Sequence, residues 1–267
     1  MVRKKRYFTL ANKGLNPNLP WSLQDVRAIE NQRMFGFQGL TGVGHFENLS
    51  NEHPEGTPTG SSNMTLALGL RYNGPPPSGN PMISRFGNGS NAGFLIQELS
   101  VSRRFGIVMG NCTMFASHSL LPGQSCNLVI TFSGSNAATY LNGVLVASGT
   151  GTYLPPNTGS NPFIIGSSFN GAVPAVNWNI SYFSISPDYA QTPQEVSSWD
   201  QAVRMTGPMA TISASNFWNA RDLQTVGIDK HIISPQWVDR INNLTIARIT
   251  GSNINLIDFS PVYPSKW

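Results

Sequence analysis

The sequence predicts one mainly β domain with extensions at both ends, and three observations predict it. Charged residues make up 11% of the 267, less than half the usual share of about a quarter, which disfavours long solvated helices. Gly (26) and Pro (19) are plentiful among abundant Asn and Ser, the residues that turns require. Between residues 63 and 185, short apolar runs alternate with Gly/Asn/Ser clusters, the pattern of strands joined by turns.

Residues 1–60 read as a basic arm. Arg3, Lys4, Lys5 and Arg6 open it as an assembly tag. One helix is expected, with Ser22 as N-cap and Leu23, Val26 and Ile29 as its apolar stripe. Glycines from Gly36 to Gly44 and a turn-rich connector from Pro54 to Gly60 follow. A solvated tail carrying one surface helix and an arm wrapped around a neighbour are both open readings.

Strands are expected at Met64 to Tyr72, Ile83 to Phe86, Gly93 to Leu99, Phe105 to Met109, Leu128 to Phe132, Ala138 to Leu141, Val144 to Ala147, Phe163 to Gly166 and Trp178 to Ile185. Asn142-Gly143 between two β-rich runs predicts a tight hairpin, because both residues accept positive φ. Thr192-Pro193-Gln194-Glu195 then reads as a capping box with Pro at the first helical position, and Val196, Trp199, Ala202 and Val203 share one face. Ser234-Pro235-Gln236-Trp237-Val238 repeats the device and predicts a second short helix within a C-terminal extension, residues 205–267.

Several ordered segments carry a family resemblance: Ile83-Ser84-Arg85, Gly93-Phe94-Leu95-Ile96, Leu120-Leu121-Pro122-Gly123-Gln124, Val129-Ile130-Thr131-Phe132, Tyr140-Leu141-Asn142-Gly143 and Phe163-Ile164-Ile165-Gly166, then a strand leading into the Thr-Pro-Gln-Glu-Val helix start. In that order they resemble the laminin G-like domains of the concanavalin A-like lectin/glucanase superfamily over about residues 63–204, within a domain expected at 61–204. Ser125-Cys126-Asn127 stands where such domains usually carry a Trp. The resemblance implies a two-sheet antiparallel jelly-roll sandwich with short helices and N- and C-terminal extensions.

Charge excludes several classes of partner. Removing Arg3–Arg6 from the 17 basic residues leaves 13, equal to the acidic count, so the body is neutral and nucleic-acid binding is disfavoured except through the tag. Tyr7 to Ala11 is too short an apolar run for a secretory signal, and no run approaches the 18 residues of a membrane helix. Cys112 and Cys126 are expected to be reduced and buried, with a single bridge as the alternative.

Catalysis finds no motif. Glu98, Asp188 and Glu195 are isolated, whereas glycoside hydrolysis needs two carboxylates at a set spacing. No Gly-x-Ser-x-Gly elbow accompanies His118 or His231. Asp188 is the best calcium candidate, but a site there would lean on Asn and carbonyl oxygens. The His45, Glu47, Glu52, His53 and Glu55 cluster fits no metal template, so no metal or cofactor is expected. Trp178, flanked by Asn177 and Asn179, is the chosen sugar platform, because Trp199 and Trp237 fall on apolar helix faces. The expectation is a non-enzymatic structural or attachment subunit on a virion surface, made in the host cytoplasm, which packs against copies of itself and other protein subunits. The alternative is a glycan-binding lectin module that contacts cell-surface glycan.

Overall fold

A strand with a large apolar face and a small-residue face needs cover on both sides, and Met64 to Tyr72 is such a strand. The computed structural model describes residues 32–37, 45–48, 63–75, 80–86, 93–99, 102–153, 163–165, 178–214 and 216–219, and short strands at 225–226, 231–232, 237–238, 245–246, 248–250 and 254–259. In it Met64–Tyr72 forms strand β3, buried at every position except Arg71. Leu66, Leu68, Leu70 and Tyr72 enter the main core, while Ala67 joins a second cluster on the opposite face.

The other elements follow the chain. Before β3 come β1 (Gln32–Phe37) and β2 (His45–Asn48). After it come β4 (Asn80–Phe86), β5 (Gly93–Leu99), β6 (Arg104–Met109), β7 (Cys112–Ser117), β8 (Ser125–Ser133), β9 (Asn136–Leu141), β10 (Val144–Thr150), β11 (Phe163–Ile165) and β12 (Trp178–Pro187). Helix α1 (Pro193–Thr206) separates these from β13 (Asn216–Asn219), β14 (Thr225–Val226), β15 (His231–Ile232), β16 (Trp237–Val238), β17 (Thr245–Ile246), β18 (Arg248–Thr250) and β19 (Ile254–Phe259).

Two antiparallel sheets result. The first runs β10–β9–β8–β3–β12–β1–β19, with β13 beside the later part of β12; the second runs β18–β2–β11–β4–β5–β6–β7. Side chains from both inner faces form one core, including Leu68, Leu128, Ile130 and Phe183 from the first sheet and Phe94, Ile96, Ile107 and Met109 from the second. This is the expected two-sheet sandwich, and among the described residues no helix is long and apolar enough to cross a membrane.

The outer face of the first sheet is covered by α1. Val196, Trp199 and Val203 pack on Ala67, Val129, Tyr140, Tyr182 and Phe217. The predicted capping box is present: Thr192 accepts from the Glu195 amide, and the Glu195 side chain accepts from the Thr192 amide. Below the helix, Tyr182 Oη donates to Asn127 Oδ1 (2.9 Å), and Asn127 Nδ2 donates to Asp200 Oδ1 (2.7 Å), so the buried polar groups satisfy one another. A Cβ on Gly69 would fall 2.2 Å from the Tyr182 ring, which is why the strand carries glycine there. The hairpin after β9 has φ of 54° at Asn142 and 76° at Gly143, as its Asn-Gly sequence predicts.

Three sequence expectations are corrected. Residues 1–60 are not simply an arm outside the domain, because β1 lies between β12 and β19 and β2 between β11 and β18. The extension after residue 204 likewise supplies β13, β18 and β19 to the sheets. The second expected helix is absent at Trp237–Val238, which instead pairs with Thr245–Ile246 as a two-stranded hairpin. The tag Arg3, Lys4, Lys5 and Arg6 and the helix expected after Ser22 lie outside the described residues.

Candidate functional site

Near the end of the sandwich where β3 stops and β12 starts, the two sheets enclose a polar group. Glu98 alternates inward on β5 with Phe94 and Ile96 and has no solvent exposure. Its Oε2 accepts from Trp178 Nε1 at 2.5 Å, and its Oε1 lies 3.2 Å from His118 Nε2. Trp178 packs at 5.1 Å centroid separation on both Tyr72 and Phe105, and His118 stands 5.0 Å from Phe105. A buried indole N–H needs a partner, and Glu98 supplies it from the opposite sheet. The Tyr72 phenol is pushed up, first by burial and then by the negative charge of Glu98, while Arg103 pulls it down.

This arrangement corrects the sugar platform chosen from sequence. Trp178 is completely buried, so neither ring face can meet a ligand. Asn179 is buried too, and its Oδ1 accepts from Asn73 Nδ2 at 2.9 Å, which joins the end of β3 to the start of β12. Asn177 lies outside the described residues.

The remaining acids whose side chains are described are engaged structurally or exposed. Glu195 takes the Tyr189 hydroxyl (2.7 Å) as well as its cap, and these bonds hold its carboxyl below the usual range, Tyr189 first and Thr192 next. Asp200 faces Arg204 Nε at 2.9 Å. Asp188, the calcium candidate, is exposed on a turn with φ 63°. Among the described residues no three His, Cys, Asp or Glu gather as a metal site. The side chains of His45, Glu47 and His231, and all of Glu52, His53 and Glu55, lie outside the described set. Cys112 and Cys126 are free and buried, as expected, and burial pushes both thiols up.

The surface opposite this cluster is of another kind. On the outer face of the second sheet, β5 presents Gln97 and Leu99, β6 presents Arg104 and Gly106, and β7 presents Thr113, Phe115 and Ser117. Register places Gln97, Gly106 and Phe115 in one row, with Leu99, Arg104 and Ser117 in the next. Phe115 is 56% exposed, which is unusual for a phenylalanine and leaves its ring free to stack. Gly106 has no side chain, and Gln97 and Leu99 lean over it within 3.2–3.4 Å of where a Cβ would stand. The row therefore runs about 10 Å, two strand spacings, from an aromatic ring to an amide, with Leu99 and Gln97 covering the glycine at its middle.

The two regions share strands. Glu98 lies between Gln97 and Leu99, Phe105 between Arg104 and Gly106, and Ala116 between Phe115 and Ser117. The hydrogen-bonded cluster behind therefore holds the strand segments that display the face in front. Sequence reasoning missed this face because it assigned no strand to Cys112–Ser117. The structure alternates strictly there, with Cys112, Met114 and Ala116 buried and Thr113, Phe115 and Ser117 exposed, but the apolar Phe115 breaks the polar half of that pattern in the sequence.

Comparisons with known proteins agree with the two-sheet fold. A comparison with curated proteins found no match. Among solved structures, a Bacteroides ovatus protein provisionally described as carbohydrate-binding superposes with a TM-score of 0.58 at 14% identity over 87% of this chain. The chain spans 61% of the length of that protein. A heptameric SAP-like pentraxin from Limulus polyphemus superposes with a TM-score of 0.54 at 12% identity, covering 87% of this chain and 96% of the pentraxin. At such identities the likeness is one of fold. The family profile of the concanavalin A-like lectin/glucanases matches residues 49–197, more than half of the sequence, so the chain belongs to the concanavalin A-like lectin/glucanase superfamily.

Proposed function

We propose that this chain is a glycan-binding module without catalytic activity, and that the outer face of the second sheet is where it binds. The exposed Phe115 ring carries this reading. A pyranose presents an apolar face of C–H groups and a rim of hydroxyls, so it suits an aromatic platform bordered by amide and hydroxyl groups. Thr113 supplies a hydroxyl two residues from Phe115 on the same strand, and Gln97 supplies an amide across Gly106 at the other end of the row. The non-catalytic part rests on the acids whose side chains are described: Glu98 is sealed in the core, Glu195 and Asp200 are held in structural pairs, and Asp188 sits on an exposed turn, whereas glycoside hydrolysis needs two paired carboxylates. A structural neighbour provisionally described as carbohydrate-binding supports the reading by fold alone. The test is a glycan array probed with the parent protein and with Phe115→Ala. Selective binding by the parent and its loss in the variant are expected, and parent binding that survives in Phe115→Ala would place recognition elsewhere.

A second reading, an attachment subunit of a virion surface, concerns what the module is mounted on and is compatible with the first. It is favoured by the balanced charge of residues 7–267 and by exposed Leu121, Val144 and Leu145, which a free monomer gains nothing by showing to water. Native mass spectrometry of the particle isolated from its source would check it. A large regular assembly is expected, and a free monomer would argue against it.

A further inference from the structure

Resting on the glycan-binding reading, we infer that the ligand of this face is an acidic saccharide whose carboxylate is received by Arg104. Among the described side chains of the outer face there is one charge, and it is positive: Arg104 is exposed on β6, while Glu98, its nearest acidic neighbour in the register, points into the core. Arg104 stands opposite Ser117, which places it diagonally from Phe115 on the adjacent strand. Diagonal neighbours on one sheet face lie about 7–8 Å apart, within reach of a guanidinium and a stacked ring acting on one sugar. A pyranose seated on Phe115 would then direct a ring carboxylate toward a planar donor fork that matches it bidentately, with the Ser117 hydroxyl alongside. A neutral sugar uses the ring and the Gln97 amide but leaves the guanidinium without a counter-charge.

The experiment uses the full chain on matched pairs that differ in the carboxylate: oligogalacturonate against its methyl ester, and sialylated oligosaccharides against their desialylated parents. The parent protein is expected to bind the acidic member of a pair about tenfold more tightly than the neutral one, with the preference shrinking at high salt. Arg104→Gln is expected to erase the preference, with an unchanged melting temperature because the side chain is exposed. Equal binding of acidic and neutral members by the parent, or a preference that survives in Arg104→Gln, would overturn this inference and leave the glycan-binding reading intact. Binding to no member of any pair would overturn both.

Discussion

At the scale of single residues, Trp178 shows how a side chain's fate is set far away in sequence. Its asparagine neighbours suggest a polar rim, yet it is buried because Glu98, 80 positions earlier, accepts its indole N–H across the sandwich. No local pattern carries that pairing. Replacing Trp178 with Phe removes the donor and leaves a carboxylate oxygen unsatisfied in the core. We expect a loss of about 2–4 kcal/mol by chemical denaturation. A loss below about 0.5 kcal/mol would mean that the cluster contributes little to stability. Phe115 is the opposite case, since truncating an exposed ring removes little buried area. Phe115→Ala should leave stability within about 0.5 kcal/mol of the parent while abolishing glycan binding. Unfolding measurements on the same preparation used for binding separate the two effects.

At the scale of elements, what was legible depended on whether the signal was local. The Asn142-Gly143 turn and the Thr192–Glu195 capping box are chemical statements about four or fewer residues, and both stand in the structure as the sequence implies. The Ser234-Pro235 device failed because a cap signature needs an apolar face that packs, and Trp237–Val238 found a strand partner in Thr245–Ile246 instead. The cap also gives a pH test. The Glu195 carboxyl is held below its unfolded value, so its contribution to stability is present above an unfolded pKa of about 4.3 and is lost as pH falls through the lower folded value. NMR titration should show Glu195 ionising below ordinary glutamates, and Glu195→Gln should flatten the acid limb of the stability profile. A Glu195 that titrates at the ordinary value would show that the cap does not select the charged form.

At the scale of the whole molecule, the fold was visible where the chain is locally strand-like, between Met64 and Ile185, and hidden where strands come from distant segments. β1 and β19 pair from Gln32↔Phe259 to Phe37↔Ile254, joining the two ends of the chain in one sheet. Such pairing leaves little local trace, since Gly36 and the glycines after it read as linker. It follows that deleting residues 1–60 removes interior strands from both sheets. We expect a fall in melting temperature on the order of 10 °C or loss of soluble protein, and an unchanged melting temperature would return these residues to the status of an arm. In the whole molecule, the outer face of the second sheet recognises glycan while the cluster behind it stays buried. Backbone amide mapping of the full chain, titrated with the tightest oligosaccharide from the array, tests this most directly. Shifts are expected to concentrate at Gln97, Arg104, Thr113 and Phe115, with Trp178 Nε1–H unmoved in position and protected from exchange. Shifts confined to the α1 side of the first sheet, or a ligand that reaches Trp178, would contradict it.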